Sequence, residues 1–250
     1  MKNALRFVMM ALALTATAAM SSTQTDLDAA VNSGKAAYVL VYDQSALQVD
    51  QARGLMNEAV ARISGAVTIE CDRNDPANAD FVAKLRLAGA PVPLILVCSS
   101  GGVVTGGVVA QQATVEQLIK VMPSPKKSEI VKALSEGNAV MIIVSRKGMA
   151  SAESVYSACA SACQQLAGKA VQVKIDMDDP AEAGFLTDMK VNRAATEPVT
   201  LVANAQGQIA GMYTGAVQMA DLVTAATKKV GGCCPSTVAK PDASCPPTKK

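Results

Sequence analysis

Apolar residues run along this chain in short unbroken stretches separated by amphipathic ones, and the whole series occurs twice. Ala37 to Tyr42 and Ala139 to Val144 lack polar alternation, the pattern of a strand buried on both faces. Ala66 to Cys71 and Ala170 to Ile175 predict a second such strand in each half. Asp26 to Ser33 and Ser128 to Glu136 predict short helices, with Leu27 and Val31 on the apolar face of one and Ile130 and Leu134 on the other. Gly34 and Gly137 follow where helices tend to stop. Longer helical patterns cover Val49 to Ile63 and Ala152 to Leu166. Asp75-Pro76 and Asp179-Pro180 are helix-start signals, and those helices are expected to reach Leu87 and Val191. Pro93 and Pro198 open a third strand, ending near Val97 and Val202. Turns at Ser99 to Gly102 and Asn204 to Gly207 lead to a short strand and a last helix, Val115 to Val121 and Met219 to Lys228.

The two halves match residue by residue. The segment Asp72 to Phe81 resembles Asp176 to Phe185 at an offset of 176 − 72 = 104. Pro93-Leu94-Ile95-Leu96-Val97 matches Pro198-Val199-Thr200-Leu201-Val202 at 198 − 93 = 105. Gly34 matches Gly137 at 137 − 34 = 103. Register that persists with one-residue slips marks an internal duplication.

Each half thus reads helix, strand, helix, strand, helix, strand, strand, helix. A parallel β-α-β followed by an antiparallel hairpin and a covering helix resembles the thioredoxin layout. The fold class expected is α/β, two tandem thioredoxin-like domains, each a central mixed sheet flanked by helices. The expected division is a signal peptide at 1–22, domains at 24–122 and 128–230, a Pro-rich linker at 123–127, and a disordered Cys/Pro-rich tail at 231–250. The resemblance implies a cis proline at Pro93 and at Pro198. It also implies that the residue before each, Val92 and Glu197, offers its backbone to a bound peptide by strand addition. Asp72 and Asp176 fit the family's usual Asp at the end of the second strand, and Gly102 and Gly207 fit its hairpin turn.

The family's chemistry is missing from its place. The Cys-x-x-Cys of thioredoxins opens the long helix, where the helix N-terminus lowers the thiol pKa. Here those positions hold Gln44-Ser45-Ala46-Leu47-Gln48 and Lys147-Gly148-Met149-Ala150-Ser151. The resemblance therefore carries no catalytic residue over. The chain has no histidine, which removes the commonest general base and metal ligand and any Ser–His–Asp or Cys–His site.

Seven cysteines lie elsewhere. Cys71 and Cys98 end buried strands and read as small core residues. Cys159 and Cys163 share a helix face, where they could pair, bind a soft metal or pack among alanines; packing is the leading reading. Cys233, Cys234 and Cys245 stand in the tail. A local disulfide, a soft-metal site for copper(I), and a redox-active tail all stay open there. No other cofactor is expected.

Charge and the amino-terminal stretch complete the picture. Lys2 and Arg6 precede an uncharged apolar run from Phe7 to Met20, and Ala16-Thr17-Ala18 reads as an A-x-A cleavage signal. The run is short of the ~20 residues of a comfortable membrane span, with an uncleaved anchor as the alternative. Cleavage leaves 23 − 2 = 21 basic and 21 acidic residues, a net charge of zero. That balance, with 3% aromatic residues and no Trp, argues against nucleic acid as a partner. The expectation is an exported, periplasmic or otherwise extracytoplasmic, non-catalytic binding or scaffold protein engaging a protein or peptide beside its proline loops. The alternative is a thiol–disulfide or soft-metal-handling protein that uses the C-terminal cysteines. The balance leans away from an enzyme.

Overall fold

The computed structural model describes residues 22–229, which divide into two compact units between Met122 and Pro123. The signal-peptide expectation and the tail cysteines Cys233, Cys234 and Cys245 lie outside the described residues.

Unit 1 runs α1 (Thr23–Asn32), β1 (Ala36–Tyr42), α2 (Val49–Ala61), β2 (Ala66–Asp72), α3 (Ala79–Lys84), β3 (Leu94–Cys98), β4 (Val104–Val109) and α4 (Val115–Val121). Unit 2 repeats the order with α5 (Pro125–Ser135), β5 (Ala139–Ser145), α6 (Ala152–Gln165), β6 (Ala170–Asp176), α7 (Ala183–Asp188), β7 (Val199–Ala203), β8 (Ile209–Thr214) and α8 (Met219–Thr227). The sheets have strand orders β2-β1-β3-β4 and β6-β5-β7-β8. In each, the first pair is parallel and the other two are antiparallel. The registers coincide: Tyr42 sits opposite Asp72, and Ser145 opposite Asp176.

The central strands feed both faces. In β1, Ala37, Val39 and Val41 pack toward α1 and α3 with Leu27, Ile69 and Phe81. Tyr38 and Leu40 pack toward α2 and α4 with Met56 and Leu118. The fully buried Tyr38 Oη donates to the Leu118 carbonyl at 2.6 Å, and burial pushes its hydroxyl up to about 12. Both units cover each face of the sheet this way, as unbroken apolar runs require.

Helix starts follow from their caps. Ser22 accepts from the Thr25 N–H, and Ser124 from that of Lys127. The residues expected as a linker at 123–127 are therefore largely helix, with Ser124 as N-cap and Pro125 at the first helical position. Likewise α1 starts at the buried Thr23, before the residue expected to open domain 1. The start of each first helix is held from the same repeat position, 182 − 78 = 104. Asn78 Oδ1 accepts from the Thr23 N–H at 2.9 Å. Glu182 accepts from the Lys126 N–H at 2.9 Å and from Ser124 Oγ at 2.6 Å.

The third helix of each unit is shorter than its pattern suggests. It ends at Lys84 and Asp188, just before the left-handed residues Arg86 and Lys190. The hairpin glycines Gly102 and Gly207 hold φ values of +78° and +75°, a conformation that disfavours a Cβ.

Candidate functional site

The loops that would carry a dithiol follow β1 and β5. After β1, Asp43 is buried and accepts from Ser45 twice, from N–H at 2.8 Å and Oγ at 2.6 Å. It also pairs with Arg73. These bonds hold the Asp43 carboxyl below its ordinary range, the Ser45 hydroxyl contributing most, against the opposing effect of burial. Arg73 then reaches across to the segment before Pro93, donating to the Ala90 carbonyl at 2.9 Å and the Leu87 carbonyl at 3.4 Å. One guanidinium thus ties the loop after β1 to the proline loop.

The Val92–Pro93 peptide bond is cis. Pro93 is buried, and its carbonyl accepts from the Ala110 N–H at 2.9 Å. Among the described residues, neither backbone group of Val92 finds a partner. Leu47 stands 77% exposed on the loop after β1. Asp43, Arg73 and Leu47 escape the motif reading. A lone Asp directly after a buried strand, with an Arg directly after its parallel neighbour, is the signal that finds the pair.

Unit 2 does not reproduce this site. The expectation of a cis proline at Pro198 is corrected: Val92–Pro93 is the only cis bond among the described residues. The loop from Lys190 to Pro198 is one residue longer than that from Arg86 to Pro93 (198 − 190 = 8 against 93 − 86 = 7). The exposed Glu197 lays its carboxylate on Gly215, where an added Cβ would clash with Oε2. The staple is rebuilt with other residues. Arg146 takes the position of Asp43, pairs with Asp178 at 3.1 Å and donates to the Arg193 carbonyl at 2.6 Å. Met177 takes the position of Arg73, and its own carbonyl accepts from Arg193 Nε at 3.1 Å.

Asp72 and Asp176 close turns, accepting from the N–H of Asn74 and Asp178 at 2.9 and 3.0 Å. The four described cysteines are free thiols. Each occupies a position that the other unit fills with an apolar residue. Cys71 matches Ile175 (175 − 71 = 104) and Cys98 matches Ala203 (203 − 98 = 105). Met56 matches Cys159, and Val60 matches Cys163, both at 103. Burial pushes the Cys98 and Cys159 thiols up to about 12 and raises Cys71 and Cys163 as well. A thiol held protonated is a poor nucleophile and a poor metal ligand. Among the described residues, no cluster of three or more acidic or thiol side chains could hold a metal ion.

No protein-family model matches the chain, and no curated protein matches it. Solved structures similar to it include the zinc-bound form of human ERp44, with 13% identity and a TM-score of 0.35 over 80% of this chain. The match spans 57% of the ERp44 chain. The first two thioredoxin domains of Saccharomyces cerevisiae Eps1p share 8% identity, with a TM-score of 0.32 over 84% of this chain and 97% of that one. The NTD_N/C domain of alkylhydroperoxide reductase AhpF from Enterococcus faecalis shares 14% identity, with a TM-score of 0.27 over 81% of this chain and 98% of that one. Identities this low bear on fold alone, and the fold is read from strand order and connection. On that basis the chain is two thioredoxin-like units in tandem.

Proposed function

We propose that this protein is a non-catalytic binding module whose first unit takes an extended peptide segment beside the Val92–Pro93 loop. One observation carries the reading. Where a dithiol would stand, Asp43 and Arg73 lock the loop to the proline segment, while the Val92 backbone is left unpaired. An unpaired N–H and C=O on a fixed loop suit strand addition. Leu47 supplies an apolar contact for the bound side chains. The competing thiol reading rests on Cys233, Cys234 and Cys245, because the described thiols fill core positions.

Export belongs to the same proposal, supported by the basic start, the apolar run and the small-residue Ala16-Thr17-Ala18 signal. Among the described residues no helix is long and apolar enough to cross a membrane. The proposed partner is therefore an exported protein or peptide. A peptide array probed with the full chain tests the idea. Binders rich in aliphatic residues, weakened severalfold by Leu47→Ser, support it; an array with no binders sinks it.

A further inference from the structure

Three repeat-related positions are built in opposite ways in the two units. In unit 1 they are Tyr42, Arg53 and Glu70. Arg53 Nε and Nη2 donate to the Glu70 carboxylate at 2.7 and 3.0 Å. Tyr42 lies beside them, its hydroxyl raised by burial and by the Glu70 charge. In unit 2 the same positions hold Ser145, Tyr156 and Lys174, at offsets of 145 − 42 = 103, 156 − 53 = 103 and 174 − 70 = 104. The Ser145 and Tyr156 hydroxyls hydrogen-bond at 2.6 Å, and Lys174 Nζ lies 3.9 Å from the centre of the Tyr156 ring. At the carboxyl end of β5 serine thus replaces tyrosine, and the ring comes instead from Tyr156 on α6. A cleft of about 510 Å3 opens there, between the ends of β5 and β6 and the start of α6.

The cleft is lined by charges of both signs. Lys147 and Lys174 face it, and so do Glu153 and Asp176. None of the four makes an ion pair among the described residues, whereas Arg53 and Glu70 in unit 1 are spent on each other. Arg146, also in the wall, is already matched by Asp178. Met149, half-buried, gives the cleft an apolar side.

We propose that this cleft binds a small zwitterion of the amino-acid or dipeptide class carrying an apolar side chain. The carboxylate end meets Lys147 and Lys174. The ammonium end meets Glu153 and Asp176, and the side chain lies against Met149. The volume falls within the ~300–1,000 Å3 of small-ligand sites. The cleft lies toward β6, whereas the proline loops lie on the β3 and β7 side of each sheet. The proposal therefore stands independently of the peptide site in unit 1.

The test is calorimetric titration of the full chain with the dipeptide Ala-Leu, its N-acetylated form and its C-terminal amide. Saturable binding of Ala-Leu, weakened about tenfold or more by either cap, is the expected result. Lys174→Gln weakens Ala-Leu binding to a similar extent with an unchanged melting curve. Ser145→Tyr, which restores the tyrosine of unit 1, abolishes it. Absence of saturable binding, equal binding of the capped forms, or wild-type affinity in Lys174→Gln overturns the proposal. Should Ser145→Tyr misfold, Lys174→Gln and the capped ligands decide.

Discussion

The two units share strand order, register and core positions, yet they handle polar groups at the ends of their strands in opposite ways. Unit 1 closes on itself: Asp43 pairs with Arg73, Arg53 with Glu70, and Arg73 reaches on to the proline loop. Unit 2 stays open. Serine stands for tyrosine, lysine for glutamate and arginine for aspartate, and a cleft lies where unit 1 has an ion pair. A duplicated fold keeps its apolar periodicity because burial enforces it, while the exposed ends of the strands are free to diverge. Two copies can therefore carry different binding surfaces on one scaffold.

The largest effects should come from positions where the copies use different groups for the same structural task. Glu182 accepts from two donors at the start of α5 and is almost fully buried, whereas Asn78 accepts a single such bond at the start of α1. Glu182→Ala leaves those donors unsatisfied and should cost unit 2 about 3 kcal/mol, against about 1–2 kcal/mol in unit 1 for Asn78→Ala. Hydrogen exchange resolved by unit measures both. Equal losses would remove the asymmetry.

A second pair compares core positions. Met56 and Cys159 are equivalent and buried. Met56→Ala should cost about 3 kcal/mol through its cavity, and Cys159→Ala about 1 kcal/mol. Denaturant melts of the full chain, followed unit by unit, read the difference. A large loss at Cys159 would point to a role beyond packing. The same thiol, held at about 12, should resist alkylation at pH 8 until the protein unfolds.

A smaller effect separates the loops by pH. The Asp43 carboxyl is held below its ordinary range, so it contributes stability above its unfolded value and loses that contribution as the pH falls through its folded value. The stability advantage of the native chain over Asp43→Asn should be constant near neutrality. It should shrink below about pH 4. Unit 2, with Arg146 at that position, should show no matching change when Arg146 is replaced by Gln. An advantage that grows on acidification would have the wrong sign.

The sequence discloses the fold because burial writes a strong signal. Ala37 to Tyr42 and Ala139 to Val144 have no polar alternation, and both form central strands. Pro93 was legible as the start of a strand in a family-like position. The absence of a cis bond at Pro198 was not, because the two prolines open equivalent strands and differ only in the irregular loop before them. The stretch 123–127 read as a linker from its prolines, yet Ser124 and Pro125 are the cap and first residue of a helix. Proline serves both roles, and only the cap bond distinguishes them. The Asp43–Arg73 staple and the Ser145, Tyr156 and Lys174 group join residues far apart in sequence. They become visible when the repeat offsets are laid over the strand register.

The central claim is that the first unit binds a peptide through the Val92 backbone without thiol chemistry. It is tested most directly by amide exchange on the full chain, with and without a peptide selected on the array, in the native chain and in the Cys233→Ser, Cys234→Ser, Cys245→Ser variant. The account predicts peptide-dependent protection of the Val92 N–H, none at Glu197, and the same protection in the variant. Protection confined to unit 2, or binding that vanishes with the three tail thiols, would contradict it.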